Sequence, residues 1–244
     1  MPDTSSSGFQ YGLSSDLFHQ TALISMGRMN MAGLRPDHDV LDIGCGVGRT
    51  ARYLCDYLDK GARYEGFDVS QKPVQWCETH ITPLFPNFHF QYIPLFNTTY
   101  NPDPTLQSAS EFRFPYPDQS FDFVFAHSVF THLLPDTTVN YLHEINRVLR
   151  NGGISYSTWI LFNDESPDYP HPVTAQMHRD SSGTFAVLKP TVPEVAVGFD
   201  ENFVRQSYLA SGLHIVEPVH PGFRIQDVIV AIRPRSPGEA ANSH

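Results

Sequence analysis

Three sets of side chains in this sequence have the types and the spacing to do chemistry. In Asp42-Ile43-Gly44-Cys45-Gly46-Val47-Gly48 a carboxylate is followed by three alternating glycines. Such glycines let the backbone turn sharply and approach a ligand closely. The dinucleotide fingerprint G-x-G-x-x-G would need glycine at 49, where Arg49 stands. The carboxylate of Asp42 also suits a pyrophosphate poorly; it suits a ligand carrying an ammonium or a sulfonium. The second set is Asp68, closing the stretch Tyr64–Asp68, where a carboxylate can accept both hydroxyls of a ribose. The third is His127 and His132, five residues apart. Imidazole titrates near neutrality and is the usual general base.

These residues need a scaffold, and the pattern supplies alternating strands and helices. Val40–Ile43 reads as a strand running into the glycines, Arg49–Leu58 as a helix, Tyr64–Asp68 as a second strand. Pro73 suits the first turn of a helix over Val74–Leu84. Phe88–Ile93 and Phe121–Ala126 follow as strands, then a helix through Tyr141–Leu149 that Asn151-Gly152-Gly153 would stop. Ile154–Leu161 is a fifth strand, Glu201–Ser211 a helix, and Leu213–Glu217 and Ile225–Ile232 are strands joined at His220-Pro221-Gly222. Alternation implies a mainly parallel sheet covered on both faces, and the tight final turn implies an antiparallel end. His127 and Asp42 then lie at the carboxyl ends of strands, the place where open α/β sheets bind ligands.

Before this unit, Leu17–Ala32 has helical periodicity, so residues 1–34 are expected to form a helical lid or extension. Residues 35–235 form the main domain, and 236–244 a disordered tail. The proline-rich stretches 96–119 and 162–200 are too long for plain connectors and are expected to wall the acceptor pocket. With 41% hydrophobic residues the chain can bury a core unaided. Three cysteines without framework spacing suggest a reducing, cytoplasmic setting. No apolar run approaches the roughly 20 residues of a membrane span. A net charge of −10 disfavours nucleic acid as a partner and is compatible with a homodimer.

Val40-Leu41-Asp42-Ile43-Gly44-Cys45-Gly46-Val47-Gly48-Arg49 resembles the first motif of class I S-adenosylmethionine-dependent methyltransferases. Gly66-Phe67-Asp68-Val69-Ser70 resembles their second motif, and Phe121–Phe125 and Glu144–Gly153 their later strand and helix–turn motifs. The resemblance covers about residues 35–160 and implies a Rossmann-like α/β fold: a seven-stranded sheet in the order 3-2-1-4-5-7-6, last strand antiparallel. It implies S-adenosylmethionine as cofactor, held by Asp42, Gly44, Cys45, Gly46, Gly48, Arg49, Asp68, Val69, Ala126 and His127. Many members have an acidic residue after the third strand to meet adenine; here the segment is Ile93-Pro94-Leu95-Phe96-Asn97, so Asn97 is the expected substitute. Ser128-Val129-Phe130-Thr131-His132-Leu133 resembles a subgroup acting on sugars and natural products. Methyl transfer to a hydroxyl needs alignment and removal of a proton, for which His127 or His132 is expected. A carboxyl or amine acceptor needs less help from a base. A non-catalytic cofactor-binding protein and a nicotinamide oxidoreductase are the readings from other classes.

The remaining candidates are weaker. His143 reads as solvent-facing, and Glu144 with Arg147 as an ordinary i,i+3 pair. Asp164, His171, His178 and Asp180 could serve a divalent ion such as Mg²⁺, but no ligand spacing supports it. Asp227 is a pocket group or a structural carboxylate. Tyr11, Phe18, Trp159, Phe162 and Tyr169 are placed to wall an acceptor pocket.

Overall fold

The computed structural model describes residues 15–162, 174–220 and 226–235. Its central sheet has seven strands, in the order β3-β2-β1-β6-β7-β13-β12. These are β1 (Val40–Ile43), β2 (Tyr64–Asp68), β3 (Phe88–Tyr92), β6 (Phe121–Ala126), β7 (Leu149–Trp159), β12 (His214–Ile215) and β13 (Asp227–Ile232). The pairs from β3 to β7 are parallel, while β13 runs antiparallel to both β7 and β12. Counted along the sheet, this is the expected 3-2-1-4-5-7-6 order. All four residues of β1 are buried, as a central strand covered on both faces requires.

Helices cover the faces. α1 (Ser15–Met31) turns Ala22, Ser25, Met26 and Met29 inward at helical spacing. α2 is a single turn, Ala51–Leu54, rather than the longer helix expected; beyond it the chain continues in turns tied back by Tyr57 Oη to Leu34 O and Asp59 N to Pro36 O, both 2.8 Å. α3 (Gln71–His80) carries Pro73 in its first turn, and α4 (Pro135–Val148) begins on Pro135. α5 (Glu201–Ser211) is capped by Asp200, whose Oδ1 accepts from Phe203 N at 3.0 Å, and stops at Gly212 with φ 84°.

Asn151-Gly152-Gly153 does not stop α4. Leu149 is already extended, and the glycines lie inside β7, where Gly152 (φ 80°) sits at a register shift against β6. The helix end is instead capped from the far strand: Arg233 Nη1 donates to the carbonyls of Asn146 (2.7 Å), Arg147 (3.2 Å) and Leu149 (2.8 Å). A guanidinium there meets both the orphan carbonyls and the negative end of the helix dipole. Glu144 and Arg147 are likewise more than a surface pair. Glu144 is buried and accepts from Phe114 N at 2.7 Å, while Arg147 donates to the carbonyls of Phe114 and Tyr116, pinning the 112–118 segment to α4. His143 is exposed, as expected.

Both long insertions contain structure. The first holds a parallel pair, β4 (Leu95–Phe96) with β5 (Gln107–Ser108). The second folds β8 (Leu161–Phe162), β9 (His178–Arg179), β10 (Phe185–Val187) and β11 (Val197–Asp200) into a small sheet ordered β8-β11-β10-β9. Trp159 is fully buried, stacked on Phe130 at 4.1 Å, and Phe162 is also buried. Trp159 therefore belongs to the core, with Phe199 and Tyr208 around it, while Phe162 lies under the guanidinium of Arg179. Tyr11, Tyr169, the Pro221-Gly222 turn and the tail lie outside the described residues.

Candidate active site

The loops leaving β1, β2 and β6 enclose a cavity of about 310 Å³. That is the size of a small-molecule site, typically about 300–1,000 Å³. Asp42, Gly44, Cys45, Gly46, Arg49, Asp68, Val69, Asn97, His127 and His132 all line it. Gly48 and Ala126, expected at the cofactor, do not. A Cβ on Gly48 (φ 67°) would meet Ile81 Cδ1 at 2.8 Å and Cys77 Sγ at 3.0 Å, so this glycine serves packing against α3. Ala126 is buried within β6.

One half of the cavity is acidic. Asp42 Oδ2 accepts from Tyr64 Oη at 2.6 Å. Burial pushes the Asp42 carboxyl up to about 8, the phenol opposing and the nearby Asp68 charge adding to the rise. Asp68 Oδ2 accepts from Gly46 N at 2.9 Å and Oδ1 from Ser70 N at 2.8 Å. Burial raises Asp68 too, against those two N–H groups. Each oxygen of a carboxylate has a second lone pair, so Asp68 keeps acceptor capacity for two ligand hydroxyls. Gly44 (φ 72°) is required by contact as well as by conformation: a Cβ would lie 2.5 Å from Val129 Cγ2. Burial raises the Cys45 thiol well above its usual range, so it acts as an apolar wall.

The other half presents neutral hydrogen-bonding groups. His127 Nδ1 lies 3.1 Å from Ser25 Oγ of α1. Burial, with the charges of Arg49 and Arg28, pulls His127 down to about 3. His132 ends the 3₁₀ turn Phe130–His132, and its Nδ1 is 2.9 Å from the carbonyl of Glu194. A carbonyl only accepts, so in the neutral ring Nδ1 carries the proton and Nε2 is the open lone pair. Nε2 lies 3.4 Å from Tyr100 Oη, which also lines the cavity. Burial lowers the His132 pKa, while the Glu194 carbonyl and charge act to raise it. Ser128, between them in sequence, holds φ 59°, uncommon for a residue with a side chain. Its N–H donates to Thr158 Oγ1 (2.7 Å) and its hydroxyl to Gln226 Oε1 (3.0 Å), which hold it there.

Asn97 departs from expectation. Its Oδ1 accepts from Thr99 N and Tyr100 N, and its Nδ2 donates to Glu194 Oε1 and to His132 O. An amide has two donors and two acceptor positions, so none remains for an adenine amino group. Asp227 accepts from Leu161 N at 3.2 Å and is raised by burial to about 6; it acts within the sheet, and Gln226 beside it faces the cavity. Among the described residues no three His, Cys, Asp or Glu side chains gather as for a metal ion. His178 is exposed, Asp180 organises a turn through Ser182 and Phe185, and Asp164 and His171 lie outside the described residues.

Ser70, Tyr100, Gln226 and Glu194 were not among the expected site residues. Asn97-Thr98-Thr99 has the composition of a side-chain-capped turn, a signal that could have flagged the Tyr100 loop. Glu194 gave none.

Residues 41–157 match the family model of the methyltransferase domain. This stretch is a methyltransferase domain of the S-adenosylmethionine-dependent class I kind. A sarcosine/dimethylglycine N-methyltransferase of Halorhodospira halochloris is 28% identical over 69% of the chain and 53% of its own length. An O-methyltransferase of Penicillium expansum is 26% identical over 69% of the chain and 50% of its own length. The matched stretch thus spans about half or less of the curated relatives. The Burkholderia thailandensis 1,6-didemethyltoxoflavin-N1-methyltransferase structure superposes with TM-score 0.56 at 18% identity, covering 89% of this chain and 78% of that one. Among the methyltransferases that resemble this chain, nitrogen, carbon and oxygen are all acceptors, so the acceptor must be argued from the site. No described helix of the chain is long and apolar enough to cross a membrane.

The acidic half fits the family's methyl donor. Asp42 offers a buried carboxylate to a cation, Asp68 offers acceptor positions to a diol, and Gly44 and Gly46 bring backbone to the cavity wall.

Proposed function

We propose that this chain transfers a methyl group from S-adenosylmethionine to a hydroxyl of a saccharide or small natural product, with His132 as proton acceptor. Asp42, Gly44, Cys45, Gly46, Arg49, Asp68 and Val69 hold the cofactor, with Asn97, Gly48 and Ala126 supporting the loops around it. S-adenosylmethionine supplies an electrophilic methyl on a sulfonium. The residues of the neutral half align the acceptor and take its proton.

The observation that carries the reading is the 2.9 Å contact between His132 Nδ1 and the Glu194 carbonyl, which favours one tautomer of the ring. Its Nδ1–H is held by the Glu194 carbonyl, so the basic nitrogen faces the cavity. His127 is neutral as well, but with a pKa near 3 it is a weak proton acceptor. It orients the cavity floor through Ser25.

Calorimetry with S-adenosylmethionine tests the cofactor assignment, and Asp68→Ala should abolish measurable binding. Transfer of labelled methyl to a panel of saccharides, phenols, carboxylates and amines tests the acceptor. His132→Ala should lower transfer to a hydroxyl by about 10²-fold or more. Full activity on an amine or carboxylate after loss of both histidines would establish the other acceptor chemistry instead. Binding without transfer to any acceptor would leave a cofactor-binding protein.

A further inference from the structure

Glu194 sits in the 3₁₀ turn Pro193–Val195 of the second insertion, outside the cavity lining, and is nonetheless buried. Its backbone and its side chain point to two parts of the site at once. The carbonyl takes Nδ1–H of His132 at 2.9 Å. The carboxylate takes three donors, all from the first insertion: Asn97 Nδ2 on Oε1 (3.0 Å), and Thr98 N (2.5 Å) and Thr98 Oγ1 (2.6 Å) on Oε2. Hydrogen bonds to an ionised acceptor are roughly twice as strong as neutral ones, so three of them on a buried carboxylate hold both loops firmly. The loop so held begins the Asn97–Asn101 turn, closed by the paired backbone bonds Asn97 N to Asn101 O and Asn101 N to Asn97 O, both 3.0 Å. That turn carries Tyr100, whose hydroxyl faces His132 Nε2.

We propose that Glu194 is the positioning residue of this site, fixing which nitrogen of His132 is basic and, through Asn97 and Thr98, where the Tyr100 hydroxyl stands against it. Glu194 thereby ties the two insertions together, and the base is set only when both are docked. In this arrangement Tyr100 Oη occupies the direction from which an acceptor hydroxyl must approach Nε2. Tyr100 donates to the base in the free protein and yields that place to the acceptor hydroxyl. The inference rests on His132 being the proton acceptor, but its structural part can be read without turnover.

The test is the tautomer of His132, followed by long-range ¹H–¹⁵N correlation in the full chain labelled with ¹⁵N-histidine, assigned by His132→Asn. A free neutral imidazole favours the Nε2–H form. The native protein should instead show His132 as Nδ1–H. Glu194→Gln places an amide N–H against Asn97 Nδ2 or Thr98, and should return a substantial fraction of His132 to Nε2–H. Thr98→Val, nearly isosteric, removes one of the three donors and should give a smaller shift the same way. Turnover should fall about tenfold or more in Glu194→Gln, with affinity for S-adenosylmethionine unchanged within about twofold. A residue needed only for stability would lower the melting temperature and leave the tautomer as it was. If Glu194→Gln does not fold, Thr98→Val decides alone. An unchanged Nδ1–H signal in the folded variants overturns the proposal, as does an Nε2–H signal in the native protein. A tautomer shift combined with full activity of His132→Ala would keep the positioning role and remove His132 as the base.

Discussion

Replacing Asp42 by Asn should uncouple cofactor binding from protons. With its pKa near 8, Asp42 is about one-tenth ionised at pH 7 in the free protein. A cationic ligand favours the carboxylate and lowers that pKa, so binding at pH 7 should release close to one proton. The sign follows directly. Below pH 8 the free protein must first give up the proton, at about 1.4 kcal/mol per unit of pH. Affinity should therefore rise up to about tenfold per pH unit from pH 6 to 7 and flatten above 8, the pKa to which burial raises Asp42. Calorimetry between pH 6 and 7, in buffers of different ionisation enthalpy, counts the protons while the ligand's own ammonium stays charged. The native protein should release about 0.9 proton at pH 7 and Asp42→Asn about none. Asp42→Asn should also bind with little dependence on pH in this window. A flat profile for the native protein, or equal release from both, would refute the placing of a cation at Asp42. The same raised pKa means that the free protein loses stability as pH rises toward 8, so its melting temperature should fall over that range while that of Asp42→Asn falls less.

The other predictions address the supports of the site. Tyr64→Phe removes the 2.6 Å bond to Asp42, which pushes the carboxyl pKa further up; affinity for S-adenosylmethionine at pH 7 should drop about tenfold or more by titration. Gly44→Ala must relieve a 2.5 Å contact with Val129 in a left-handed backbone, and should lower unfolding free energy by about 1–3 kcal/mol in a denaturant titration, with loss of cofactor binding. Arg147→Ala leaves Glu144 buried without its guanidinium; a loss of about 3 kcal/mol or more is expected by the same titration, with cofactor affinity retained. His127→Asn keeps a polar partner for Ser25 and should change turnover less than about tenfold, whereas His132→Asn should lower it by about 10²-fold.

What could be read from the sequence was local. Val40–Ile43 and Phe121–Ala126 are apolar runs, and buried parallel strands are apolar runs, so the centre of the sheet and the loops leaving it followed. Asp42 and Asp68 were legible because the strands that carry them deliver them to the loops within one residue. The misreadings concern partners distant in sequence. The end of α4 was assigned to glycines three residues on, but the cap is Arg233, 84 residues from the carbonyl of Leu149. Asn97 is expected at a ligand because it stands where many members of the family carry an acidic residue; Glu194, 97 residues away, uses its amide instead. Trp159 had the spacing of a pocket wall, but the second sheet closes over it with Phe199. No periodicity or motif encodes such pairings, since they depend on how segments far apart in sequence dock.

The same long-range contacts make the two histidines chemically different although both follow β6. His127 is buried where Arg49 and Arg28 oppose a second positive charge, so protonating it works against the field of the site. His132 is also buried, but the carbonyl and charge of Glu194 favour its protonated form. Burial lowers both imidazoles, but only His132 has neighbouring groups that oppose the fall, so its Nε2 is the less disfavoured of the two proton sites. At the ends of β1 and β2, the carboxyl groups of Asp42 and Asp68 line the same cavity and suit a cation. For the proposed transfer, this puts the carboxylates where a cationic donor would be favoured and a neutral imidazole beside Glu194. Moving one cation, Arg49, would weaken both halves together, because it opposes His127 protonation and also lowers the Asp42 pKa.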